Sequence, residues 1–262
     1  MSTLDIAEMF YSVQGEGRMS GKPAVFVRLA GCNLLCGAVG RNPQDVDPSS
    51  DSPVEGASWV CDTIDVWREA DERYTPDELY NEFRARGWID MLADGSAHLI
   101  LTGGEPTLKK HQRAFIEFMQ VWEENHDNRS TAIPYVEVET NGTIRPESEF
   151  DRYVVQYNVS LKLSNSGHSE EERINDDAVG WYAGNSRAYF KFVVGNEEDL
   201  YEIDELINRF GILDSDVMLM PAGSSQEQLS ETYPVVAEMC KDRGWSFSPR
   251  LHVNIWDEMT GV

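Results

Sequence analysis

At 262 residues the chain is long enough to bury a full-sized core, and one domain of the barrel or open α/β class is the default at that length. Apolar residues make up 41% of it, with 10 Phe, 10 Tyr and 7 Trp, which excludes a disordered or fibrous chain. Acidic residues outnumber basic ones 46 to 22, and the resulting charge of −24 disfavours nonspecific binding to nucleic-acid phosphates.

The acids gather in surface-like stretches such as DVDPSSDSPVE, HSEEERINDD and GNEEDLYEIDE, and Lys supplies only 6 of the 22 basic residues. Such a surface stays soluble where concentrated salt screens its self-repulsion, which points to a halophilic source. No apolar run approaches the ~18 residues of a membrane span, and MSTLDIAEMF lacks a basic-then-apolar leader. The expectation is a soluble cytoplasmic protein with no membrane or nucleic-acid partner.

Taken in chain order, PAVFVRLA at 23–30 predicts a buried strand. Residues 37–57, dense in Gly, Pro, Asp and Ser, predict an acidic loop inserted between cysteines. TPDELYNEFRARGWIDML opens at Thr75 with a cap and a first-turn Pro, the start of a helix. HLILTGGEP reads as a strand, a glycine turn and a helix over 107–124, and YVEVETNG repeats strand then turn at 135–142. Further strands are expected at 153–161, 188–194, 216–220 and 251–255, with helices at 197–210 and 226–243. About seven strands alternating with helices predict a mainly parallel sheet in a partial (β/α) barrel, formed by the whole chain as one domain. Ligands of such sheets gather at the C-terminal strand edges, where every polar sequence motif is expected to sit.

Three of the four cysteines lie within residues 32–61, and Cys240 stands alone in a predicted helix as a small buried apolar residue. Cys32 and Cys36 are separated by three residues in one loop, and Cys61 follows after 24 more. Clustered cysteines in a cytosolic chain indicate metal or redox chemistry. Three thiolates on a four-iron cluster leave one iron open, whereas a three-Cys zinc site completed by a residue such as Asp62 is the alternative.

GCNLLC…CDT resembles the cluster loop of radical S-adenosylmethionine (SAM) enzymes, whose common form is Cys-x3-Cys-x2-Cys, so the 24-residue last gap is a departure. TGGEP at 102–106 resembles the glycine-rich SAM motif of that superfamily. FYSVQGEG, GKPAVFVRLAGCN, CDT, LTGGEP, VETNG and VSLK, in this order, are similar to the 7-carboxy-7-deazaguanine synthase family. The resemblance implies a radical SAM-type partial barrel that converts 6-carboxy-5,6,7,8-tetrahydropterin to 7-carboxy-7-deazaguanine. It implies a [4Fe–4S] cluster on Cys32, Cys36 and Cys61, SAM, and Mg²⁺ on Thr63. By the same resemblance Val13, Gln14 and Gly15 pass their backbone along the pterin, and Arg28, Thr102 and His252 contact it. SAM would meet Val60, Asp62, Gly103, Gly104, Glu105, Glu139, Asn141, Ser160, Lys162, Met220 and Pro221. The family usually has Ser-Pro-Lys where this chain has Ser-Leu-Lys, and Gln-Pro where it has Met220-Pro221. A flavodoxin or ferredoxin as electron donor and a homodimer are expected, from a halophilic archaeon or its virus. A glycyl-radical activating enzyme or a zinc-binding module is the competing reading. The tail DEMTGV extends past the resemblance, and the terminal carboxylate of Val262 is given no firm role.

Overall fold

The computed structural model describes residues 2–48, 50–126, 133–259 and 261, so Val262 lies outside the described residues. Two antiparallel strands open the chain, β1 (Leu4–Val13) and β2 (Pro23–Leu29). The short α1 (Ile64–Trp67) follows the cysteine loop, and β3 (Glu72–Tyr74) precedes α2 (Pro76–Ala85) and α3 (Trp88–Ala93). Thr75 and Glu78 cap α2 reciprocally, as the Thr-Pro start predicts. Gly87, at φ +74°, then breaks the predicted single helix in two.

The parallel part begins with β4 (His98–Gly103), α4 (Lys109–Asn125), β5 (Val136–Thr140), α5 (Ser148–Asp151) and β6 (Val154–Val159). It continues through α6 (Glu170–Arg173), α7 (Asp176–Ala183), β7 (Ala188–Val194), α8 (Asp199–Phe210) and β8 (Val217–Pro221). The chain closes with α9 (Gln226–Arg243), which holds the buried Cys240, then β9 (Ser246–Phe247) and α10 (Leu251–Trp256). The described strands form one sheet in the order β3-β1-β2-β4-β5-β6-β7-β8-β9, parallel from β2 onward. Nine strands replace the expected seven or so because β1, β3 and β9 extend its edges.

One expected strand is a helix. Residues 251–255 alternate apolar and polar, as a half-buried strand would, yet they form α10. The edge beyond β8 is already taken by the two-residue β9, and in α10 only Val253 is buried.

The two sheet faces differ in chemistry. Val25, Val27, Leu99, Leu101, Val136, Val138, Phe190, Phe192 and Leu219 face the helices and join one core with Phe83, Phe115, Phe118, Trp122, Ile203 and Met239. The residues between them on the inner face include buried His98, Thr102, Glu137, Gln156, Asn158 and Lys191. A parallel strand covered on both sides usually runs continuously apolar. Here period-2 alternation lines the inside of the barrel with polar groups, which is the property of a binding cavity. The open edges are bridged without strand pairing: Gly17 N donates to Ser248 Oγ (2.8 Å) and Leu251 N to the Gly15 carbonyl (2.8 Å). A Cβ on Gly15 would lie 2.1 Å from His252 Nδ1, so only glycine lets the two segments close.

Candidate active site

The cysteine loop leaves β2 at its C-terminal edge. Cys61 N donates to the Cys36 carbonyl at 3.0 Å, so the chain returns beside its starting point despite the long gap. The insertion is pinned where it leaves and returns: Gly37 N donates to the Ser166 carbonyl (2.8 Å) and Ser58 N to the Asn165 carbonyl (2.9 Å). Burial pushes the Cys36 thiol up to about 12. The Cys32 thiol is raised further by burial, then by Glu105 and by the charges of Cys61 and Cys36. Thiols this hard to ionise become thiolates when a cationic iron site binds them. Among the described residues no three His, Cys, Asp or Glu side chains lie close enough to hold a single metal ion.

The glycine turn after β4 fits against this loop. A Cβ on Gly104 would sit 1.9 Å from the Gly31 carbonyl oxygen, and one on Gly103 2.4 Å from Leu29 N. Gly104 N donates to the Leu29 carbonyl (3.0 Å) and Glu105 N to that of Gly31 (2.9 Å), fixing the turn to the base of the cysteine loop. Glu105 is fully buried; its carboxylate accepts from Thr107 N, Thr107 Oγ1, Thr140 Oγ1 and Asn141 N at 2.6–2.8 Å. Its side chain therefore braces two loops, the glycine turn and the turn after β5. Asn141, oriented by Asn33 and Thr143, turns Nδ2 toward Cys32 Sγ at 3.9 Å. The glycine turn, the turn after β5 and the cysteine loop are thus held together at the strand ends by backbone bonds and by the Glu105 and Asn141 side chains.

Other expected contacts follow along the strand ends. Lys162 Nζ donates to Ser160 Oγ (3.0 Å) and has no carboxylate partner among the described residues. Met220 and Pro221 end β8, with Met220 on the inner face, and Val60, like Cys32, Leu35 and Cys61, packs against the small cluster of Ala38, Val46, Ile64 and Trp67. Thr63 is the N-cap of α1 without a side-chain capping bond; its Oγ1 lies 3.5 Å from Cys61 Sγ. Asp62 Oδ2 accepts from Arg250 at 2.7 Å.

Deeper inside, Glu139 Oε2 accepts from Thr102 Oγ1 (2.6 Å) and Oε1 from Gln14 Nε2 (3.1 Å). This half-buried carboxylate is thereby aimed and kept ready for further N–H or O–H donors. Val13 closes β1 opposite Pro23. The backbone N–H and C=O of Gln14 are taken by Lys22 and Gly21, and its side chain reaches Glu139 on the inner face. Arg28 pairs through Nε with Glu8 Oε1 across β1 and β2 (2.6 Å), leaving its terminal nitrogens without an acceptor among the described residues. His252 sits against Gly15 with Nε2 3.9 Å from Glu16, and burial holds its imidazole below the ordinary value.

VQGEG breaks the expectation that every polar motif lies at a C-terminal strand edge. β1 runs antiparallel, so Val13 ends beside the start of β2, and residues 14–17 cross the cavity toward β6, β7 and β9 instead. Nor is Glu16 a solvated turn residue. It pairs with Lys191 and Arg250. Burial alone would raise its carboxyl, but these two cations outweigh burial and hold it well below the usual range. Sequence reasoning also missed Glu137, fully buried among His98 (2.6 Å), Gln156 and Asn158. The available signal was the odd polar residue in an apolar run: Lys191 in AYFKFVV and Glu137 in VEVET.

No family model matches the chain. It is 32% identical over 261 residues to the 7-carboxy-7-deazaguanine synthase of Pyrobaculum aerophilum, covering 98% of this chain and 96% of that one. It is 31% identical over 280 residues to the enzyme of the same name from Halobacterium salinarum, covering 97% and 91%. The crystal structure of QueE from Escherichia coli has the same fold, with a TM-score of 0.57, 22% identity and coverage of 94% and 93%. A largely parallel β/α sheet with three thiols and a glycine cradle at its strand ends puts the protein among the radical SAM enzymes. Within them, the chain belongs to the 7-carboxy-7-deazaguanine synthase family, and membership implies a [4Fe–4S] cluster and SAM.

Proposed function

We propose that the chain converts 6-carboxy-5,6,7,8-tetrahydropterin to 7-carboxy-7-deazaguanine with loss of ammonia, at a cluster held by Cys32, Cys36 and Cys61. The carrying observation is the Cys61 N to Cys36 carbonyl bond, which brings the backbone of Cys61 back to Cys36 across a 24-residue gap, next to the Gly103-Gly104 cradle. Cys32, Cys36 and Cys61 would hold the cluster, which when bound would supply the electron for reductive cleavage of SAM.

The chain's own groups do the holding. Arg28 offers its free terminal nitrogens to the substrate carboxylate, a planar fork suited to bidentate binding. Glu139, aimed by Gln14 and Thr102, accepts from ring N–H groups of the pterin or a ribose hydroxyl. Lys162 takes the carboxylate of SAM and Asn141 its polar end, while Met220 and Pro221 flank the adenine. The loop at 14–17 and His252 shut the cavity from water, which protects a radical from stray donors. Mg²⁺ on the Thr63 hydroxyl, with substrate oxygens and waters, would steady the carboxylate. A flavodoxin or ferredoxin reductant, a homodimer and a cytoplasmic setting complete the reading.

Anaerobic incubation of the iron-reconstituted chain with 6-carboxytetrahydropterin, SAM, dithionite and Mg²⁺ should yield 5′-deoxyadenosine, ammonia and 7-carboxy-7-deazaguanine by mass spectrometry. Deoxyadenosine without the deazapurine would refute the substrate and leave the radical class in place.

A further inference from the structure

Arg250 belongs to no expected contact, yet three parts of the cavity meet on it. Its side chain is only 12% exposed. Nε donates to Glu16 Oε1 at 3.1 Å, Nη1 to the Gly223 carbonyl at 2.6 Å and Nη2 to Asp62 Oδ2 at 2.7 Å. Glu16 belongs to the loop that crosses the cavity, and Asp62 directly follows the third cluster cysteine. Gly223 lies two residues past β8, beside Met220 and Pro221. The backbone is fixed as well: Arg250 N donates to Tyr233 Oη (2.7 Å), and the next N–H, of Leu251, holds the Gly15 carbonyl (2.8 Å).

We propose that Arg250 is a positioning residue that locks the 14–17 loop, the loop after Cys61 and the loop after β8 in one mutual register. The bound pterin and the cleaved SAM are thereby held at a fixed separation; this role rests on the reaction proposed above. The sheet cannot set that separation, because its two edges do not pair and the loops leave it at different ends. Three acceptors in three directions match the planar fork of a guanidinium and exceed the reach of one ammonium. Without the guanidinium, the Glu16 and Asp62 carboxylates lose the cation between them, and Lys191 neutralises only Glu16. The loops then separate.

The test compares the full-length, iron-reconstituted wild type with Arg250→Lys and Arg250→Gln. In Arg250→Lys, amide hydrogen exchange should rise about tenfold in residues 14–18 and 61–67 together, while β5 and β7 keep their protection. KM for 6-carboxytetrahydropterin should rise about tenfold with the SAM cleavage rate within about twofold, and more deoxyadenosine should form per deazapurine product. Arg250→Gln should widen both effects. Wild-type exchange and KM in Arg250→Lys overturn the proposal, and so does exchange that rises evenly over the whole sheet. If the wild type makes no deazapurine, the reaction assignment falls, and the exchange pattern still decides the positioning role.

Discussion

Gly104 shows how little room the chemistry leaves at single positions. A methyl group there would overlap the Gly31 carbonyl oxygen, 1.9 Å away, and push the glycine turn off the cysteine loop. Gly104→Ala should weaken SAM binding by at least about tenfold, roughly 1.4 kcal/mol, in equilibrium titration of the reconstituted protein. Glu16 carries a pH dependence of known sign. Its folded carboxyl titrates well below its ordinary 4.5, so its stabilising contribution is complete above that value and is lost as pH falls below it. The melting temperature of the wild type should therefore drop more steeply from pH 5 to pH 3 than that of Glu16→Gln; parallel curves would contradict the ion pairs with Lys191 and Arg250. The close packing of the glycine turn at Gly104 against the cysteine loop was legible because TGGEP and GCNLLC are short local patterns. Glu16, Lys191 and Arg250 were not, because their partners lie 175 and 234 residues apart.

Among the elements, the inserted loop behaves as a unit of its own. Ala38, Val46, Ile64 and Trp67 form a small core separate from the one under the sheet, and Arg68 holds the Val46 carbonyl at 3.0 Å. Val46→Ala should cost this subdomain about 1.5 kcal/mol, roughly tenfold in local opening. Iron loss to a chelator should accelerate by that factor while the far-UV melting curve stays within about 2 °C of wild type, since the main core is untouched. An equal fall in both would mean that the insertion and the sheet unfold together. The strands β2, β4, β5, β7 and β8 and the helices α2, α4, α8 and α9 were readable within a few residues from caps, turns and periodicity. The edge elements were not. β3 and β9 are three and two residues long, too short to show a period, and α10 imitates a strand until the sheet has no place for it.

At the scale of the molecule, the charge of −24 is spread over a surface that also carries many single ion pairs, such as Arg209 with Glu170 and Asp176. Exposed pairs contribute little each, so net repulsion between the acids dominates. Raising KCl from about 0.1 M to about 1 M, where screening reaches only about 3 Å, should raise the melting temperature. A melting temperature that falls with KCl would show that the surface pairs outweigh the repulsion. What the amino-acid order determined alone is local: the strand and helix alternation, the glycine turn, the three thiols and the acidic surface. All of these arise from interactions within a few residues or from composition. Only the tertiary structure decided that Cys61 returns to Cys36, that the polar residues of β4 to β7 meet on one inner face, and that residues 14–17 pack against 248–252. Those outcomes depend on contacts between distant segments, which the chain makes only after the sheet has curved and its apolar face is buried against the helices.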